Sequence, residues 1–131
     1  MIGLDTNVLV RYIMRDDAKQ AAKATKLIEG LTAQEPGFIT LVSVVELVWV
    51  LSSAYDLNRE QIVQALDVIL RSKQLVVDQA DHVLRAKRAY GAGRADFADC
   101  LIEGTAAAAG CTKTMTFDVA ASKTAGMMLI Q

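Results

Sequence analysis

The chain has 131 residues, of which 53% are apolar and only 5% aromatic, with 14 basic residues against 15 acidic ones. This apolar content and the net charge of −1 exclude a disordered chain. A single histidine, His82, argues against a histidine-based triad or a multi-histidine metal site. The charge balance also lacks the overall positive charge of a protein that binds nucleic acid mainly through its charge.

The sequence predicts one domain, residues 1–131, in a cytoplasmic protein without a membrane segment. No linker or repeat divides the chain, and its first ten residues have no basic region and contain Asp5, unlike a signal peptide. The longest apolar run, residues 41–51, is about half a membrane span. Cys100 and Cys111 form no CxxC pair, and their small and apolar neighbours predict reduced thiols in the core.

Apolar spacing and capping residues predict strands that alternate with helices in the first half of the chain. In order, these are a strand at 2–4, a helix at 7–14, a helix from Asp17 to Ile28 stopped by Gly30, a strand at 38–40, a helix capped by Ser43 that runs to about Ala54, and a helix at 62–70 with a capping box of Asn58 and Gln61.

The same signals continue in the second half. They predict a strand at 75–77, a helix from Asp78 and Asp81 to Tyr90 ended by Gly91 and Gly93, a long helix from Asp96 to Gly110, a strand at 112–116 and a strand at 127–130. This alternation predicts an α/β fold, in which helices cover both faces of a central, mostly parallel sheet of four to five strands.

Two acidic residues directly follow predicted strands. Asp5 follows the first strand, and Asp118 follows the fourth, after Thr116 and Phe117. Ligands of open parallel sheets bind beyond the carboxyl ends of the strands, so the two carboxylates meet at one crevice if their strands are neighbours. Each residue also fits the ordinary role of a helix cap or a turn residue.

Glu46 lies in an apolar segment that includes Trp49. A helix that is apolar all round is typically buried on most faces, so Trp49 is predicted to lie in the core. A buried carboxylate requires a partner, because an uncompensated charge in the interior is costly. That partner is either a basic side chain, which is a structural role, or a metal ion, which is a functional one.

Asp96 and Asp99 lie three residues apart at the start of a predicted helix, on adjoining parts of one face. Asp96 is the better candidate for an ordinary capping role. Asp99 has Ile102 and Ala106 on the following turns, which predicts a face turned toward the interior and a place in a functional site.

Four carboxylates thus come from four separate segments, without histidine or a suitable cysteine pair: Asp5, Glu46, Asp99 and Asp118. An all-oxygen set suits Mg²⁺ or Mn²⁺ and not zinc. Four ionised acids in one place also need a cation, because their repulsion would raise the pKa of some of them. A metal held in this way positions a water and neutralises a phosphate, which favours phosphodiester hydrolysis.

These residues resemble the PIN-domain ribonucleases. The matching motifs are Asp5-Thr6-Asn7 after the first strand, Glu46 in an apolar helix, the segment 96–102, and Thr116-Phe117-Asp118. The most similar subgroup is the VapC toxins of bacterial VapBC toxin–antitoxin modules, and the resemblance spans essentially the whole chain. It implies a PIN-like three-layer α/β/α sandwich.

The resemblance also implies an activity, that of an endoribonuclease that cuts transfer RNA or ribosomal RNA with one or two Mg²⁺ or Mn²⁺ ions. By position, the implied acidic quartet is Asp5, Glu46, Asp99 and Asp118, the additional acid is Asp96, and the polar residues that orient carboxylates or water are Thr6, Asn7 and Thr116. Members usually form homodimers, and a VapB antitoxin inserts a segment near the active site. Residues 119–121 lack the further polar residue that many relatives have, which leaves the second metal open.

Basic residues supply candidate RNA contacts. The stretch 83–95 contains four basic residues and no acid, and it is either a solvated face or a phosphate-binding rim in which Arg94 and Arg88 are the main candidates. Lys19, Lys23 and Lys26 form a second stripe. Near the first acid, Arg11 is placed to meet a phosphate or an antitoxin carboxylate.

A non-nuclease α/β signalling module is the alternative. A phosphoacceptor module needs a reactive aspartate at the end of a middle strand, where the chain offers only Asp78. The haloacid-dehalogenase phosphatases need aspartate at the position of Asn7. The intact quartet argues against a PIN domain that only binds protein, and excess apolar surface around Trp49 would line a groove for a second copy or an antitoxin.

Overall fold

The computed structural model describes all 131 residues as two compact units, residues 1–80 and 81–131. The first unit contains β1 (Ile2–Gly3), α1 (Thr6–Met14), α2 (Ala18–Glu29), β2 (Gly37–Ile39), α3 (Leu41–Ser53), α4 (Arg59–Arg71) and β3 (Leu75–Val77). The second contains α5 (Ala80–Ala92), which begins at the boundary, followed by α6 (Phe97–Ala108), β4 (Met115–Thr116), α7 (Val119–Thr124) and β5 (Met128–Leu129).

In the first unit, three parallel strands form a sheet in the order β1-β2-β3. The β1–β2 ladder extends to Leu4, whose N–H donates to the carbonyl of Phe38 over 2.9 Å. The β2–β3 ladder extends likewise, since the N–H of Asp78 donates to the carbonyl of Ile39. These bonds fix the carboxyl edge of the sheet, where Asp5 follows β1.

Helices cover this sheet with aliphatic side chains. Helix α1 packs on α2 and α3, and α4 packs on β3 and α3. The fully buried side chains include Leu9, Ile28, Leu47 and Leu66, one from each of these helices. The core is therefore built from aliphatic residues, as the low aromatic content requires.

In the second unit, β4 and β5 form a parallel ladder, and α7 packs on both strands. The rings of Tyr90 in α5 and Phe97 in α6 meet edge to face, with centroids 6.0 Å apart. Phe97 is fully buried, so this aromatic pair anchors the start of α6. Asp96 and Asp99 flank that anchor in the sequence.

The predicted α/β fold with parallel strands is confirmed. The predicted central sheet takes the form of two ladders, of three and two strands. Helix α7 was not predicted, because residues 119–124 are too few to show a helical spacing of apolar residues. The strand predicted at 112–116 is only Met115–Thr116, and the helix predicted to run through Tyr90 continues to Ala92.

Three local predictions were wrong. The cap of α3 is Thr40 and not Ser43, because the Thr40 hydroxyl accepts the N–H of Ser43, which lies inside the helix. Cys111 is exposed, although Cys100 is buried as expected and both are free thiols. Trp49 is 68% exposed, because α3 buries only one of its sides.

None of the helices combines the length and the apolarity needed to cross a bilayer.

Candidate active site

Asp5 lies where β1 ends and α1 begins. Its extended backbone stops the strand, and its side chain accepts the N–H of Thr6 over 2.8 Å. The capping role that the sequence allowed for Asp5 is therefore real, and the residue is exposed. Capping fixes the direction of this carboxylate, since it is tied to the backbone of its own helix.

A hydrogen bond links α1 to Glu46. The hydroxyl of Thr6 donates to Oε1 of Glu46 over 2.8 Å, and Thr6 itself is only 8% exposed. The expectation that Glu46 is buried was wrong, because its position on α3 is on the exposed side with Val42 and Trp49. The exposed carboxylate of Glu46 accepts a hydrogen bond from a neutral hydroxyl, and it needs no charged partner to offset burial.

A cleft of about 610 Å³ in the first unit brings these residues together. We call it the acidic cleft, and its lining residues are Asp5, Thr6, Asn7, Val10, Arg11, Asp16, Glu46, Val50, Ala54 and Tyr55. Two members of the predicted quartet and two of the predicted polar residues thus share one cavity. The arrangement can present carboxylate oxygens to a cation or a polar ligand.

Arg11 is engaged within this cleft. Its Nη1 atom lies 3.1 Å from Oδ1 of Asp16 and donates to the hydroxyl of Tyr55, while its Nε atom donates to Gln20. The hydrogen bond from Tyr55 lowers the pKa of Asp16, with help from the charge of Arg11. Arg11 was predicted to meet a phosphate or an antitoxin carboxylate, but its positive charge is already paired with the carboxylate of Asp16.

Asp16 and Tyr55 were missed by the sequence analysis. The hydroxyl of Tyr55 donates to Oδ2 of Asp16 over 2.7 Å, although the two residues are 39 positions apart. No motif or spacing marks such a pair, because it depends on how α1 meets the end of α3. The bond to Asp16, together with partial burial, raises the pKa of Tyr55.

In the second unit, Asp96 is the N-cap of α6, but its side chain makes no capping hydrogen bond. Asp96 thus holds the N-cap position that the sequence predicted, with its backbone carbonyl accepting the N–H of Cys100 and without a capping bond from its side chain. Asp99, in the first turn of α6, is half-buried. Ile102, one turn later, is 52% exposed, so the face expected to point inward is only partly covered.

In this unit, two acidic residues act on the carboxyl group of Asp99. Burial raises the pKa of Asp99 above its usual value, and the charges of Asp96 and Asp118 raise it further. Like charges near a partly desolvated carboxylate disfavour its ionised form. A divalent cation would reverse this effect, so the donor chemistry fits such an ion.

Both the backbone and the side chain of Asp118 make hydrogen bonds. Its N–H donates to the hydroxyl of Thr116 over 3.0 Å, and its Oδ1 atom accepts the N–H groups of Ala120 and Ala121. Asp118 is therefore the N-cap of α7. Thr116, predicted as a supporting polar residue, positions Asp118 through the main chain.

The family model of the PIN domain matches residues 2–127. The chain belongs to the PIN domain family. Neither the curated proteins nor the solved structures yielded a match. PIN domains are generally nucleases, which are hydrolases that act on nucleic acids, and they generally use divalent metal ions.

This PIN domain has its candidate acids in two sets. The first unit places Asp5 and Glu46 in the acidic cleft, and the second couples Asp99 to Asp96 and Asp118. The structure contains no group of three or more histidine, cysteine, aspartate or glutamate side chains arranged to hold a metal ion.

Two of the three basic residues predicted to contact RNA, Arg88 and Arg94, are exposed to solvent. Arg88 lies on α5, and Arg94 lies in the segment between α5 and α6, two residues before Asp96. Their exposure permits contact with a phosphate backbone, and it equally fits a solvated face.

Proposed function

We propose that this PIN domain is a metal-dependent endoribonuclease of the VapC type, which hydrolyses phosphodiester bonds of transfer RNA or ribosomal RNA in the cytoplasm. The observation that carries the proposal is the acidic cleft, in which Asp5 lies with Glu46 and the hydroxyl of Thr6 holds the Glu46 carboxylate, in a chain whose family consists generally of nucleases. Carboxylates that line an open cleft supply the oxygen ligands that a hard divalent cation prefers.

The proposed ligands of Mg²⁺ or Mn²⁺ are Asp5, Glu46, Asp99 and Asp118, with Asp96 as the additional acid. When bound, such an ion supplies charge neutralisation at the phosphate and lowers the pKa of water. All proposed donors are carboxylate oxygens, the type that these hard cations prefer.

The polar residues of the chain then act as positioning residues. Thr6 holds Oε1 of Glu46, and Thr116 holds the backbone of Asp118. Asn7 lines the acidic cleft beside Asp5 and is proposed to orient the attacking water or a phosphate oxygen. Arg94 and Arg88 are proposed to contact RNA phosphates, whereas Arg11 reaches a phosphate only in competition with Asp16.

The proposal extends to partners: a VapB-type antitoxin and a second copy of the chain. Its support is the apolar surface of α3, where Val42 and Trp49 are both about 70% exposed. Exposed apolar side chains of this size commonly mark interaction surfaces. Light scattering on the purified protein measures the dimer, and co-purification with the product of an adjacent short reading frame measures the antitoxin.

The decisive experiment is cleavage of purified cellular RNA. The wild type is expected to cleave with Mg²⁺ or Mn²⁺ and to stop when EDTA is added. Asp5→Asn and Asp99→Asn are each expected to lower cleavage by roughly 100-fold or more, because the metal loses a charged ligand. Asp81→Asn, an exposed aspartate on α5, is the matched control and is expected to cleave normally.

Sequencing of the new RNA ends then identifies the substrate and the cleavage site. The proposal is wrong if the wild type cleaves no cellular RNA while the Asp99→Asn variant arrests growth on expression as strongly as the wild type does.

A further inference from the structure

Three concavities of residues 1–80 share lining residues and follow one another. The acidic cleft shares Asn7 and Arg11 with a groove of about 410 Å³ between α1 and α2. That groove shares Lys23 and Leu27 with a third concavity of about 460 Å³, which reaches Gly30 after the end of α2. We call the last two concavities the α2 track.

The charge of the α2 track is opposite to that of the acidic cleft. The cleft contains three carboxylates, whereas no acidic residue lines either part of the track. Lys23 and Lys26 line the track, both are exposed, and neither ammonium group makes an ion pair or a hydrogen bond. Arg11, at the junction, is already paired with Asp16. The available positive charge is therefore that of the two lysines.

The shape of the track suits a chain with a charged backbone. In the same concavity as the lysines, Leu27 and Ile2 are 42% and 36% exposed and offer apolar surface for sugars or bases. The residues from Gln20 to Gly30 span about 15 Å at the rise of an α-helix. This length accommodates on the order of two to four nucleotides of a single strand.

We infer that single-stranded RNA leaves the acidic cleft along the α2 track, with its phosphates on Lys23 and Lys26. The inference rests on the proposed function, since it takes the acidic cleft as part of the cleavage site. It adds a substrate path that none of the proposed arginines provides. The positive charge and the continuity with the cleft favour the substrate as the occupant.

The test measures binding of a fluorescent 20-nucleotide single-stranded RNA of mixed sequence by anisotropy, as a function of salt. All proteins have the Asp99→Asn background, so that the RNA is not consumed. The test variant is Lys23→Gln with Lys26→Gln, because glutamine keeps the helix propensity and removes the charge. The control is Lys73→Gln, an exposed lysine before β3 that lines none of the three concavities.

The double variant is expected to bind about 10-fold more weakly, and its plot of log K against log salt is expected to be shallower by about 1.4, since each neutralised phosphate of a single strand contributes about 0.7. The control is expected to bind like its background. Unchanged thermal melting confirms that the exposed substitutions leave the fold intact.

Equal affinity and equal salt slope in the double variant would overturn the inference, as would an equal loss in the Lys73→Gln control. Binding of polyglutamate that depends on Lys23 and Lys26, without such dependence for RNA, would overturn it too. None of these binding results changes the outcome expected in the cleavage assay, so none of them bears on the proposed hydrolysis. Conversely, a protein that cleaves nothing but binds RNA through these lysines contradicts the proposed hydrolysis and not the track.

Discussion

At Thr6, a single buried hydroxyl sets the direction of a carboxylate that is 40 positions away in the sequence. Thr6→Val keeps the shape and removes the donor, so Glu46 loses its partner on α1. We expect roughly 10-fold weaker cleavage at limiting Mg²⁺, since groups that orient metal ligands typically contribute 10- to 100-fold. The measurement is the Mg²⁺ concentration that gives half-maximal cleavage.

Thr6→Ser is the matched control, because it retains the hydroxyl and loses only a methyl group. It is expected to need about as much Mg²⁺ as the wild type. If Thr6→Val and Thr6→Ser respond to Mg²⁺ alike, the hydrogen bond to Glu46 has no part in metal binding.

The raised pKa of Asp99 leads us to expect that the stability of the protein depends on pH. Its pKa is raised in the folded state from the 3.8 of an unperturbed aspartate, chiefly by burial and then by Asp96 and Asp118. The folded protein therefore binds this proton more tightly than the unfolded chain does. The resulting stability is fully present below pH 3.8 and is lost as the pH rises through the raised pKa.

In the folded protein above its raised pKa, ionised Asp99 lowers stability, and Asp99→Asn removes this unfavourable charge. In EDTA at pH 7, the variant is expected to unfold at a higher temperature than the wild type, and the difference is expected to shrink below pH 3.8. Thermal melts between pH 3 and pH 8 measure it, with exposed Asp81→Asn as control. A variant that melts at or below the wild-type temperature at pH 7 contradicts the raised pKa.

At the scale of elements, Asp118 has two roles that can be separated. Its side chain caps α7, and it is a proposed metal ligand. An asparagine at this position would cap as well as the native aspartate does but has no charge, whereas an alanine would lose both properties. We expect Asp118→Asn to keep its thermal stability and lose cleavage, and Asp118→Ala to lose cleavage and about 1 kcal/mol of stability.

Denaturant unfolding and the RNA cleavage assay together measure this pair of variants. Full cleavage by Asp118→Asn would show that the residue is only a cap, and equal stability of the two variants would show that the cap contributes nothing.

Gly37, the first residue of β2, lies where three leucines converge. A Cβ atom at this position would lie 2.8 Å from Leu4, 2.9 Å from Leu31 and 3.0 Å from Leu75. These side chains must shift to accept a methyl group, and overpacking of a core typically costs about 1–3 kcal/mol. We expect Gly37→Ala to be destabilised by that amount in denaturant unfolding, whereas Gly3→Ala, with open space around its Cβ position, is the matched control.

Elements with strong local signals were predictable from the sequence. Asp17 caps α2, the capping box of Asn58 and Gln61 opens α4, and β3 has the predicted bounds. In each case the signal lies within a few residues of the element. Where two candidate caps compete, as Thr40 and Ser43 do at α3, only the backbone decides, because the cap is the last extended residue.

The sequence predicted which acids follow strands, but it did not predict the environment of the candidate residues. Asp5 follows β1 and Asp118 follows β4, as predicted, but these two strands belong to different ladders and are not paired neighbours. The exposure of Glu46 was not predictable, because an apolar helix with one open side has the same sequence pattern as a buried one. The link from Tyr55 to Asp16 depends on tertiary packing alone.

For the whole molecule, the near-neutral net charge is the sum of acidic candidate metal ligands and a mildly basic remainder. If the five proposed acids bind a metal, setting them aside from the 15 acidic residues leaves 10 acidic against 14 basic ones. The remaining surface is then mildly basic, and lysines such as Lys23 and Lys26 are free to meet phosphates. The net charge of −1 is therefore no argument against an RNA substrate.

The four proposed metal ligands bind either one Mg²⁺ ion or two separate ions, and the two cases differ in their thermodynamic consequence. An ion that binds only the folded state stabilises it by about 2.7 kcal/mol at 100 times its dissociation constant. If one ion needs all four carboxylates, Asp5→Asn and Asp99→Asn must each abolish the Mg²⁺-induced rise in melting temperature. If each unit binds Mg²⁺ by itself, each variant keeps part of the rise, and the two losses add. Calorimetric melts of both variants and of Asp81→Asn, with and without Mg²⁺, distinguish the two cases, and a full rise in either variant removes that residue from the metal site.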